Sequence, residues 1–75
     1  MKRIVNGLLY DTNTSECIYT DFDTNRRVFK TTKGNYFLLY PNGEIIPKSE
    51  DEVKEYLGIK DAKKYIEIFG EVEEA

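Results

Sequence analysis

The feature that most restricts the fold of this chain is the turn chemistry that interrupts its first 47 residues. Asn6-Gly7, Asp11 to Ser15, Asp23-Thr24-Asn25, Lys33-Gly34-Asn35 and Pro41-Asn42-Gly43-Glu44 are built from residues that reverse a backbone. The pieces between them are short and rich in β-formers. Ile4-Val5 and Leu8-Leu9-Tyr10 flank Asn6-Gly7, which predicts a hairpin with a type I′ turn; one strand bulged at Gly7 is the competing reading. Residues 16–22 and Arg26 to Thr32 read as the next strands. In the second of these Val28, Lys30 and Thr32 share one face and Arg27, Phe29 and Thr31 the other. Tyr36-Phe37-Leu38-Leu39-Tyr40 is apolar on both faces, as a central strand covered on both sides should be. Ile45-Ile46 is a short last strand that Pro47, lacking an N–H, is expected to end.

The pattern changes at Ser49. Ser49-Glu50-Asp51-Glu52 spells a capping box, and its acids lie at the positive end of a helix dipole. Val53, Tyr56 and Leu57 share a helical face, and Gly58 is the expected stop. Asp61 begins a second short helix with Ala62, Tyr65, Ile66 and Phe69 on one face, and Gly70 ends it. The prediction is an α+β fold: an antiparallel β-meander of four to five short strands, then two short C-terminal helices packed on one sheet face. One domain spans 1–75, with the meander over 2–47, the helical part over 49–70 and an acidic tail over 71–75.

Composition excludes several chemistries. The chain has no histidine and one cysteine, so Ser-His and Cys-His catalysis, an intrachain disulfide and a structural zinc site are all ruled out. Cys17, in an apolar-rich strand, is expected to be buried. Asp21-Phe22-Asp23-Thr24-Asn25 begins like a calcium loop. However, Arg26 stands where that loop needs glycine and Thr32 where it needs glutamate, so the segment reads as a hairpin turn. Capping and solvation account for the carboxylates, and the phosphate-loop motifs are missing. The expectation is a chain with no catalytic residue, no metal and no cofactor. No apolar run spans a bilayer, and a cytoplasmic setting with no membrane partner is expected.

Charge supplies the strongest asymmetry. Residues 1–48 carry a net +2 and residues 49–75 a net −5. Arg26, Arg27, Lys30 and Lys33, with Tyr36 beside them, form a basic and aromatic stretch over 26–40. It would hold a single nucleic-acid strand by charge and stacking, or else is a solvated sheet face. Glu50, Asp51, Glu52, Glu55, Glu67, Glu71, Glu73 and Glu74 are either a soluble helix face and tail or a phosphate-like field that attracts a nucleic-acid-binding protein.

Lys2-Arg3-Ile4-Val5-Asn6-Gly7, Leu9-Tyr10-Asp11-Thr12, Thr32-Lys33-Gly34-Asn35-Tyr36-Phe37-Leu38 and Ile68-Phe69-Gly70-Glu71 touch both ends and the middle of the chain. In these runs the sequence resembles a family of short accessory proteins carried by phages and other mobile elements of Gram-positive bacteria, with a shorter loop after Tyr40 than the family's. The motifs are structural, and no functional residue carries over. The resemblance implies a setting in which small proteins bind and block a host factor, a protein or nucleoprotein complex such as a CRISPR effector. The expected function is therefore a non-enzymatic inhibitor of anti-CRISPR type acting through the acidic residues. The alternative is a single-strand nucleic-acid-binding module using the 26–40 stretch.

Overall fold

The computed structural model describes all 75 residues. Six strands precede two helices: β1 (Lys2–Val5), β2 (Leu8–Asp11), β3 (Glu16–Asp21), β4 (Arg26–Lys30), β5 (Tyr36–Leu39), β6 (Ile45–Lys48), α1 (Glu50–Lys60) and α2 (Ala62–Phe69). The order is the α+β arrangement expected, with a meander followed by helices. β1 and β2 form a separate two-stranded sheet, and β3-β4-β5-β6 form an antiparallel sheet in sequence order. Asn6 and Gly7 both take positive φ, 50° and 76°, and Val5 pairs with Leu8, so the hairpin reading prevails over the bulged strand.

β5 lies between β4 and β6, and its side chains alternate between two separate cores. Tyr36 and Leu38 join Ile18, Val28, Val53 and Leu57 beneath the helices. Phe37 joins Phe29, Ile45 and Tyr10 beneath the β1–β2 hairpin. The sheet is thus the middle layer of three, which is why the Tyr36 to Leu39 run is apolar on both faces. Arg3 holds the hairpin down at β6, its Nη1 donating to the Ile45 carbonyl at 2.6 Å.

Three local expectations change. Pro47 lies inside β6, opposite Phe37, and does not end it. β6 is an edge strand of its sheet, where a residue without an N–H leaves no ladder bond unmade. Cys17 is exposed, not buried. A register shift between Cys17 and Tyr19 turns Ile18 into the core, while Cys17 stays on the outer strand of the sheet, away from the hairpin's anchor at β6. α1 also runs past Gly58 to Lys60. The stop is Asp61, extended at φ −158°, whose N–H donates to the Leu57 carbonyl and whose Oδ1 accepts from Lys64 N–H. Gly70, at φ 99°, ends α2 as expected.

Gly58 is therefore a glycine in a helix interior. A Cβ there would meet only Tyr65 Cδ2, at 3.9 Å, which is ordinary contact. Gly58→Ala should stabilise the domain by about 0.5–1 kcal/mol through helix propensity and a restricted unfolded chain. A rise of several degrees in the thermal midpoint is the expected readout, and a fall would show that α1 does not continue through this position.

Candidate functional site

The capping box that begins α1 is formed in full. Ser49 Oγ accepts from Glu52 N–H at 3.1 Å, and Glu52 Oε1 accepts from Ser49 N–H at 3.0 Å. These bonds hold the Glu52 carboxyl below its usual range, with a smaller contribution from Lys48. The cap fixes the helix phase: Val53 and Leu57 face the sheet, so Asp51 and Glu55, one turn apart, point to solvent.

All eight acids of the proposed face are exposed. Glu50, Glu52 and Glu67 pair with Lys54, Lys48 and Lys64 at 3.1, 3.8 and 3.7 Å, contacts worth little at a solvated surface. Asp51, Glu55, Glu71, Glu73 and Glu74 have no cationic partner. Of the lysines on the helices, Lys60 pairs with Asp21, which leaves only Lys63 without a carboxylate. Both helices pack on the same side of the sheet, so the acidic half of the sequence becomes one layer. Lys2 and Arg3 lie on the hairpin, across the sheet from it. Glu71, Glu73 and Glu74 follow α2 without secondary structure.

The basic stretch is divided by the strand period. Arg26 and Lys30 share the helix side of β4 with Val28, and Arg27 shares the hairpin side with Phe29. Lys33 is exposed in the β4–β5 turn. Arg26 lies over the Tyr40 ring, 4.7 Å from its centroid, and Lys30 is 5.9 Å from that of Tyr36. Tyr36 is 5% exposed, with its ring packed toward Phe69. The cations and rings therefore do not form one open stacking platform.

Sequence reasoning missed the strongest polar contact. Asp21, the last residue of β3, is buried, and its carboxylate ties the end of that strand to α1. Tyr56 Oη donates to Asp21 Oδ2 at 2.5 Å, and Lys60 Nζ lies 3.5 Å from the same oxygen. Asp23 N–H donates to Oδ1 at 3.1 Å, closing an Asx turn that Asn25 completes at φ 55°. The Tyr56 bond is the main reason the Asp21 carboxyl falls to about 2. Burial opposes that shift, while the Asp23 amide and Lys60 assist it. The Thr24 hydroxyl, buried and without a well-aligned partner, lies close enough to assist as well. Burial, and then the Asp21 bond, push Tyr56 up to about 12. The aspartate that opens the calcium-like sequence is thus committed to an intramolecular contact. No group of three His, Cys, Asp or Glu side chains converges on a possible metal position.

That contact also displays two side chains to which the sequence reading gives no role at a surface. Phe22 follows Asp21 and Ile59 precedes Lys60, and they are 84% and 80% exposed. The strand expected over 16–22 would include Phe22, but the Asx turn ends β3 before it. No known protein family, curated protein or solved structure matches the chain. No helix is long and apolar enough to cross a membrane.

Proposed function

We propose that this chain is a small non-enzymatic binding protein that inhibits a nucleic-acid-processing complex, in the manner of an anti-CRISPR. On this reading its acidic helical layer docks on basic surface that would otherwise hold nucleic acid, in the cytoplasm of a host cell. The observation that supports it is the concentration of acid on the helices and tail: five unpartnered carboxylates there against one unpartnered lysine, Lys63, with Arg26 and Lys30 on the strand beneath and Lys2 and Arg3 across the sheet. Such a field steers association with a basic partner. Phe22 and Ile59 supply apolar contact area that charge alone does not. The resemblance of its N-terminal, central and C-terminal runs to short phage accessory proteins implies the same setting. A single-strand nucleic-acid role for Arg26, Arg27, Lys30, Lys33 and Tyr36 is less well supported, because the Tyr36 ring is buried.

The test is competition. The purified chain should displace a labelled oligonucleotide from a CRISPR effector or another basic nucleic-acid-processing enzyme of a Gram-positive host, with salt weakening the effect. The triple change Asp51→Lys, Glu55→Lys, Glu71→Lys should reduce displacement by about tenfold or more, since close charge pairs across an interface are each worth on the order of 1 kcal/mol or above. Displacement that survives this reversal would remove the acidic layer from the binding surface. Direct capture of the oligonucleotide by the chain itself would instead favour the basic stretch.

A further inference from the structure

Arg26 is a cation that its own fold leaves unpaired. It begins β4, is half-buried, and is held on the Tyr40 ring. None of the chain's ion pairs involves it. Its cross-strand neighbour Asp21 gives its carboxylate to Tyr56 and Lys60. Glu52, in the same groove, is engaged by Ser49 and Lys48. A half-buried guanidinium stacked on an aromatic ring keeps its planar fork oriented, and that fork matches a carboxylate in two-point geometry. The groove beside it, about 330 Å³ between α1 and the sheet, adds apolar surface from Leu38, Tyr56 and Ile59, with Glu55 on the helix side.

We infer that this groove seats a peptide segment of a partner protein, with an acidic side chain on Arg26 and an adjacent apolar side chain over Leu38, Tyr56 and Ile59. Its volume is at the low end of ligand pockets, and the groove is open to solvent, so it does not enclose a small molecule. An open groove suits side chains delivered by a larger partner. Charge complementarity sets the register. Arg26 selects one carboxylate, and the unpartnered Glu55 across the groove disfavours a second and selects a basic residue beyond the apolar one. This site shares Glu55 and Ile59 with the acidic docking layer, but Arg26 belongs to the groove alone, so substitutions at Arg26 test it apart from that reading.

The experiment is selection of random dodecapeptides displayed on phage against the whole immobilised chain, run in parallel on Arg26→Gln and Arg26→Lys. Enriched sequences should place Asp or Glu next to Leu, Ile or Phe. A recovered peptide should bind Arg26→Gln about tenfold more weakly or worse, the scale of one charge-assisted hydrogen bond. Arg26→Lys should fall between, keeping charge without the fork. Amide shift changes on titrating that peptide into the unsubstituted chain should centre on Arg26, Tyr40, Tyr56 and Ile59, a readout that holds even if Arg26→Gln loosens the fold. No enrichment, equal binding to Arg26→Gln, or shift changes elsewhere would overturn the proposal. So would a concentration-dependent dimer of the free chain that Arg26→Gln abolishes, because the groove would then belong to a second copy.

Discussion

Phe37→Ala should cost about 3–5 kcal/mol and leave the domain largely unfolded at room temperature. Phe37 is fully buried on the central strand. Its ring stacks on Phe29, its register partner on β4, with centroids 5.0 Å apart and planes at 4°. Tyr10 of the hairpin meets it edge-on at 5.7 Å. The substitution therefore opens a cavity at the junction of sheet and hairpin, and removes aromatic pairing beyond the lost area. A chain of 75 residues has little reserve. The measurement is thermal unfolding followed by circular dichroism. No cooperative transition, or one lowered by about 15 °C or more, is expected from the usual scaling for small domains. A transition within a few degrees of the parent would mean that the hairpin does not pack on this ring.

Tyr56→Phe should have the second-largest effect. It removes the hydroxyl that donates to the buried Asp21 carboxylate and leaves that charge with Lys60 and the Asp23 amide alone. The expected loss near neutral pH is about 1–3 kcal/mol, the range for a charge-assisted bond whose partner stays buried. The pH profile identifies the cause. Asp21 is lowered in the fold to about 2 from an ordinary 3.8, so its stabilisation is present above pH 3.8 and is lost as pH falls toward 2. Tyr56 is raised to about 12 from an ordinary 10.0, so its stabilisation is present below pH 10.0 and is lost as pH rises toward 12. Denaturant midpoints across pH should show both limbs in the parent. Tyr56→Phe should have no Tyr56 limb at high pH and a shallower one below pH 3.8. Parallel profiles for the two proteins would assign acid unfolding to other carboxylates.

The features legible in the sequence are those governed by near neighbours in the chain. Asn6-Gly7 between two short apolar strands favours a type I′ turn, Ser49 and Glu52 cap each other across three residues, and the alternation of strands β4 and β5 follows from a period of two. These local rules suffice for the order of strands and helices, for the two-sided central strand and for the separation of basic and acidic halves. Gly58 misled because a glycine stops a helix only if it takes positive φ, and a better cap was available at Asp61. Cys17 misled because its side was decided by a register shift against β4, which depends on the partner strand.

The candidate sites lay beyond that reach. The turn chemistry that first pointed to a meander also contains Asp21, yet nothing near it in the chain foretells Tyr56, 35 residues away. The same holds for Arg26 on Tyr40, for the hairpin closing the sheet face opposite the helices, and for the gathering of unpaired carboxylates into one layer. The elements and their charges follow from neighbouring residues, because hydrogen bonding and backbone sterics act over short stretches of chain. Which charges remain unpartnered follows from packing, because pairing depends on which side chains the assembled layers bring within a few ångströms.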